Sequence, residues 1–394
     1  MIKTTRFKRL SYGLICGLTL LVTAACSSQS SASQATIASS TTTSSNQTAT
    51  TSDTSSTTST TSAADIDWSA LPTTDCTLTD EGLTITEAGT YVLTGSTTGG
   101  VTVNTTGNVR IILAGVEISS ADNAALYVES ADNTVIELQD GTDNTISDAT
   151  VHSDTSIEGT VYSKDDLFIT GNGNLTVEGN YQDGIVSNDD LTIEAGNITV
   201  TATDDGIRGK DSLIVTGGTV SVTAGGDGMK ATNDEDTTKG YTHITGGTIT
   251  VEAGDDAIKA ESSLIIDGGD ITVTNSVEAL EGTNITINGG TLDLYASDDT
   301  INASSTISSD IYVKITGGDL KIAVGSGDTD AIDSNGDIYI SGGTIDITAQ
   351  SAFDYDGTAE FTGGTLIVNG VTQTEITASG PGAMGGMGGG PGGR

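Results

Sequence analysis

Between about residue 80 and residue 370 the chain alternates aliphatic and polar positions in short runs, punctuated by acidic turns and glycine pairs. The unit DDGIRGKDSLIVTGGTVSVTAG, residues 204 to 225, shows the pattern. Leu213, Val215, Val220 and Val222 fall on one face of an extended chain, and Ile214, Ser221 and Thr223 on the other. That period of two marks strands. The unit recurs as DDAIKAESSLIIDGGDITVTNS at 255 to 276. One apolar position returns at Ile185, Ile207, Met229, Ile258, Leu280, Ile301, Ile332 and Phe353, at spacings of 22, 22, 29, 22, 21, 31 and 21. Glycine pairs begin at Gly217, Gly246, Gly268, Gly289, Gly317, Gly342 and Gly363.

A unit of about 22 residues with three short strands and no helical period is one turn of a solenoid. The predicted fold is all-β, a single-stranded parallel β-helix, right-handed by analogy with the crossover rule for parallel strands. No turn buries its apolar face alone. Stacking like side chains on successive turns does so, and each contributes roughly 1.5–3 kcal/mol. The glycines are expected to make the corners. The longer spacings read as insertions, such as 233 to 240. Upstream, Val109 to Leu113 and Val116 to Ile118 alternate in the same way. Leu83 to Leu93 is expected to start or cap the solenoid, and the last coil to end near Val371. The β-helix is thus placed at 65–372.

The flanks differ. Lys3, Arg6, Lys8 and Arg9 precede an apolar stretch, Leu14 to Val22, too short for a stable membrane span. Thr23-Ala24-Ala25-Cys26 follows and resembles a bacterial lipobox, with Thr23 in place of the usual leucine. Residues 1–25 therefore read as a lipoprotein signal peptide and Cys26 as the lipidation site. Of the residues from 27 to 64, 26 are Ser or Thr, so 26–64 reads as an extended tether. A Gly/Met-rich disordered tail is expected over 373–394. The expectation is a secreted monomer, lipid-anchored to the cell membrane and exposed on the cell surface.

Composition excludes other classes. The 394 residues carry 53 Asp plus Glu against 14 Lys plus Arg, a formal charge of −39. Four of those cations lie in the signal segment, so the chain beyond it carries −43. That balance argues against nucleic acid as a partner. Three cysteines build neither a disulfide framework nor a Cys-rich metal site. No GxSxG, HExxH or P-loop pattern occurs, and His152 and His243 are the only histidines.

Stacking converts the repeat into columns about 4.8 Å apart. One column is acidic: Asp183, Asp205, Asp227, Asp256, Glu278 and Asp299, with Asp204, Asp255 and Asp298 one residue before. Carboxylates so close repel unless compensated, and a hard cation with oxygen ligands, Ca²⁺ above all, is the natural compensation. Asn233, Asp234, Glu235 and Asp236 offer further donors in an insertion expected beside this column. The alternative is a set of solvated turn aspartates. A second column, Arg208, Lys230 and Lys259 with Lys210 beside it, reads either as a salt-bridge ladder to Asp205, Asp227 and Asp256 or as a cationic groove for an anionic sugar. A third faces outward: Phe168, Thr192, Ile214, His243, Ile265, Thr286, Lys314 and Tyr339. It reads as a glycan strip or as a surface covered by a loop or the N-terminal segment. Trp68 reads as a cap residue.

The runs TYVLTG, DNTIS, YSKDDL, NYQDGIVSNDDL, DDGIRGKDSL and DGMKATNDEDTTKGY resemble the bacterial carbohydrate-binding domain-containing β-helix family over about residues 80 to 370. DGMKATNDEDTTKGY is the most specific of them. The resemblance implies a fold similar to polysaccharide lyases, an extracellular setting, bound calcium, and affinity for cellulose and acidic sugars such as polygalacturonate. The expected function is polysaccharide binding through a Ca-stabilised β-helix. The sugar-binding candidates are Arg208, Lys210, Lys230 and Lys259. The metal candidates are Asp183, Asp204, Asp205, Asp227, Asn233, Asp234, Glu235, Asp236, Asp255 and Asp256. The alternatives are a Ca²⁺-dependent lyase, with Arg208 or Lys210 as base, and a surface adhesin or structural spacer.

Overall fold

A computed structural model of the protein describes residues 62–327 and 329–378. Its 34 strands form one continuous sheet wound into a parallel β-helix. Each coil contributes to three ladders, and in some coils, as at Ile258–Ile266, one strand runs through the first two. In the coil from 204 to 225 the strands are Ile207–Gly209, Ser212–Val215 and Thr219–Ala224. They pair in parallel with Met229–Ala231, Tyr241–Ile244 and Thr248–Ala253 of the next coil.

The register stacks like on like. Ile185, Ile207, Met229, Ile258, Leu280, Ile301, Ile332 and Phe353 form one continuous inward column of the first ladder. All eight are buried. Leu213 and Val215 face the same core from the second ladder, and Val220 and Val222 from the third. The members of each glycine pair answer to different constraints. Gly218 sits at φ +87°, where an L side chain is strained. A Cβ on Gly217 would stand 2.6 Å from the Glu194 carbonyl of the coil above.

The two ends differ from the repeat between them. Strand pairing begins upstream of Leu83, at Thr73–Leu78, which buries Cys76 and Leu78. At the other end the chain reverses. Asn369 at φ +51° and Gly370 at φ +77° make a two-residue turn, and Val371–Gln373 pairs antiparallel with Thr365–Val368. Positive φ at both central residues is what such a hairpin turn needs, and the hairpin covers part of the last sheet edge. Residues 1–61, with the signal segment, Cys26 and nearly all of the tether, lie outside the described residues, as does the chain from 379 on.

Candidate functional site

The turn entering the first ladder places an acidic residue two positions before each core aliphatic. In Asp183, Asp205, Asp227 and Asp256 one carboxylate oxygen accepts the backbone N–H one coil on. The distances are 3.2 Å to Asp205 N, 3.0 Å to Asp227 N, 3.0 Å to Asp256 N and 3.3 Å to Glu278 N. Aspartate suits the position because a buried amide needs a partner and this short side chain reaches it.

The second oxygen faces the outward column Arg208, Lys230 and Lys259, which stack in register. Arg208 donates to Asp183 Oδ2 at 3.0 Å and also pairs with Glu158. Lys230 bridges Asp205 and Asp227 at 2.5 and 2.9 Å. Lys259 pairs with Asp256 at 2.9 Å and with Glu281. The observed arrangement is therefore a salt-bridge ladder, each cation between two carboxylates. Burial opposes the charge on Lys230, but Asp227 and Asp205 outweigh it and raise its pKa. Asp183 moves up to about 6 because its burial outweighs Arg208. Lys210 stands exposed, beside but outside the ladder.

Below Lys259 the carboxylates outnumber the cations. Two groups, Asp227 with Asp255 and Asp256, and Asp256 with Glu278 and Glu281, each bring one ligand oxygen per residue within 4.8 Å of the others. Burial, reinforced by Asp256, pushes Glu278 up to about 9 and Glu281 to about 7. Asp256 is itself buried, yet hydrogen bonds from Glu281, Glu278 and Lys259 hold it to about 2. The cluster thus retains protons near neutrality, and a hard divalent cation is the alternative way to neutralise it. The donors fit one: all are oxygens. Asn302, which donates to Glu278 Oε1 at 2.8 Å, also has a buried Oδ1 with no hydrogen-bond partner. A groove of about 330 Å³ adjoins the cluster, lined by Lys259, Glu281, Thr283, Ser304, Ser305 and Asn335.

The insertion lies elsewhere than expected. Asn233 stacks on Asp211, donating to its Oδ1 at 2.6 Å. Its own Oδ1 accepts the amides of Glu235 and Asp236 at 3.1 and 3.0 Å. Asp234, Glu235 and Asp236 are exposed and belong to none of the carboxylate clusters among the described residues. They sit at a different corner from Asp227. That corner holds a third cluster, Asp166, Asp189 and Asp190. Burial first, then Asp211 and Asp166, push Asp189 up to about 7. Its signal was present in the sequence, in the spacings of 24, 22 and 22 that connect Asp165, Asp189, Asp211 and Asn233.

On the second ladder Phe168, Thr192, Ile214, His243, Ile265, Thr286, Lys314 and Tyr339 stack as one outward column. The N-terminal segment covers its upstream end. Ala63 is buried against Val135 and Phe168, with Ile66 and Trp68 packed on them. Glu194 accepts from the Ser62 hydroxyl at 2.6 Å and from the Ala63 amide at 2.9 Å. Trp68 is thus a lateral clamp and does not cap an end.

Known proteins are similar to parts of this chain. A solved structure described as the polysaccharide lyase-like protein from C. thermocellum, a gadolinium derivative, is 36% identical, with a TM-score of 0.49 over 55% of this chain and 85% of that one. A carbohydrate-binding domain-containing protein of Acetivibrio thermocellus is 39% identical over 126 residues, which are 30% of this chain and 44% of the relative. The matched stretch therefore spans less than half of that relative. The sequence profile of the carbohydrate-binding domain-containing protein family matches residues 79–331, from the first coils through the ladder and its clusters. The chain belongs to the carbohydrate-binding domain-containing protein family.

Proposed function

We propose that this protein is a cell-surface lipoprotein that binds extracellular polysaccharide, cellulose or an acidic pectin-like glycan, through a calcium-stabilised β-helix. The observation that carries the reading is the surplus of carboxylates at Asp256, Glu278 and Glu281 beside an open polar groove, in a chain of this family. Calcium there would compensate the cluster and offer its remaining valences to carboxylates of a uronate chain. A chain at −43 repels a polyanion, so a bridging ion is the economical route to binding. The lipid on Cys26 would anchor the chain, and the Ser/Thr-rich segment would hold the solenoid clear of the membrane.

A lyase reading needs a base. Of the two candidates, Arg208 is held by two carboxylates with its pKa raised, the reverse of what a base requires, whereas Lys210 stands exposed outside the ladder. That removes Arg208 as the base and leaves Lys210 as the residue on which a lyase reading would rest.

The test is sedimentation of the protein with insoluble cellulose and with polygalacturonate covalently coupled to beads, with EDTA and with added Ca²⁺. Polygalacturonate binding is expected to strengthen with Ca²⁺ and fall with EDTA. Equal binding in both conditions removes the bridging role, and no binding to any glycan overturns the reading. Release of unsaturated uronates, followed by their absorbance, would reinstate the lyase. Labelled palmitate incorporated by the native chain but not by Cys26→Ala tests the anchor.

A further inference from the structure

We infer that the C-terminal coils carry a second carbohydrate subsite, on the open end of the second ladder, that takes an uncharged sugar chain. The inference rests on the carbohydrate-binding reading above and gives the uncharged chain a place of its own, apart from the acidic corner. Here Tyr312–Ile315, Asp337–Ile340 and Ala359–Phe361 pair in register. Their outward side chains floor a groove of about 530 Å³, a size ordinary for small-ligand sites.

Two phenol rings, Tyr312 and Tyr339, and one ammonium, Lys314, line it from adjacent coils. Asp310, Asp337 and Glu360 line it as well. Asp310 comes from the insertion between the first and second ladders. With its nitrogen turned to donate, the Asn284 amide holds that insertion, reaching the Asp310 carbonyl at 2.7 Å. The Tyr339 hydroxyl donates to Asp337 Oδ2 at 2.7 Å, which fixes both side chains. Ser341 and Thr362 add hydroxyls at the edge.

The chemistry selects the ligand. Three carboxylates against one lysine repel a uronate chain. Lys314, exposed and in none of the ion pairs among the described residues, offers its ammonium to a sugar hydroxyl. Two phenol rings, carboxylate acceptors, hydroxyls and one ammonium together match an uncharged molecule that both donates and accepts hydrogen bonds and presents an apolar face to the rings. A hexopyranose or pentopyranose chain meets each requirement. Tyrosine suits both ends of that contact, an apolar ring with a polar tip. Unlike Phe168 upstream, this end of the column is not under the 62–70 segment.

The test is hydrogen exchange of the wild-type chain with cellohexaose, mannohexaose and xylohexaose in EDTA. At least one is expected to protect 310–316 and 337–341. Titration of the double variant Tyr312→Ala, Tyr339→Ala is then expected to show at least a tenfold loss of that affinity, with an unchanged β-sheet spectrum. The variant should retain calcium-dependent polygalacturonate binding, so this subsite and the acidic corner fail independently. Protection confined to other coils, no protection by any of the three, unchanged affinity in the folded variant, or preferred binding of oligolysine overturns the inference.

Discussion

Asp333 stands in the outward column three coils below Lys259, after Glu281 and Asn302. Burial, then Asp299, Asp354 and Asp330, push its carboxyl up to about 7, and Asp299 beside it moves to about 6. None of the ion pairs among the described residues reaches either group. The folded state therefore binds more protons than the unfolded chain between about pH 4 and pH 7, so stability falls as pH rises through that window. Melting in EDTA from pH 4.5 to 8 should show that decline. Asp333→Asn should make it shallower, since Asp299, Asp189 and Glu281 still contribute, and melt above wild type at pH 8. A parallel decline in the variant would assign it elsewhere. Single inward positions are equally decisive. Ile207 is fully buried in the stack, whereas Ser221 faces out from the third ladder. Ile207→Asp buries an unpaired charge and should cost more than about 4 kcal/mol. Ser221→Asp should stay within about 0.5 kcal/mol. Urea titration of both compares them directly, and equal costs would invalidate the inward assignment.

At the scale of the element, the coil turn couples a core aliphatic to a carboxylate and a cation. Lys230 holds two carboxylates whose other oxygens cap amides of the next coil. Lys230→Met leaves that pair uncompensated. The expected loss is about 3 kcal/mol, the low end for a broken buried pair, since the lysine keeps some solvent contact. A midpoint shift near zero would mean that the ladder is screened by solvent. This element also marks how far the sequence was legible. The aliphatic stack followed from a period of 22 and the alternation of Leu213, Val215, Val220 and Val222, because burial of one sheet face is enforced at every rung. The pairing of Arg208, Lys230 and Lys259 was open in the sequence, since a spacing of three fits both a ladder and a groove. The insertion at Asn233 was misplaced for a physical reason. Its four donors resemble ligands by composition, yet Asn233 continues the Asp189 to Asp211 column and spends its oxygen on two amides. The second acidic corner was visible as a spacing but carried no distinctive residue type.

Across the whole molecule the excess negative charge is the main unresolved term, and it ties stability to the proposed ion. Residues 62–70 lie along the flank, against Val135 and Phe168, and the C-terminal groove lies elsewhere on the same ladder. Calcium that binds only the folded chain stabilises it by mass action, about 1.4 kcal/mol for each tenfold excess over its dissociation constant. Ordinary salt also stabilises a polyanion by screening its self-repulsion, so a rise in melting temperature with CaCl₂ alone proves nothing. The informative comparison holds ionic strength constant. EDTA is then expected to lower the melting temperature by several degrees, and micromolar Ca²⁺ to restore it where equal Mg²⁺ does not. Mg²⁺ demands tighter octahedral geometry and keeps its waters, whereas the carboxylates of Asp256, Glu278 and Glu281 are spread over two coils. The double variant Glu278→Gln, Glu281→Gln should melt at the same temperature with and without EDTA. It should lie above the metal-free wild type, because it removes two carboxyls that charge at a cost. If Ca²⁺, Mg²⁺ and NaCl of matched ionic strength gave the same melts, the cluster would be neutralised by protons alone and the calcium proposal would be withdrawn.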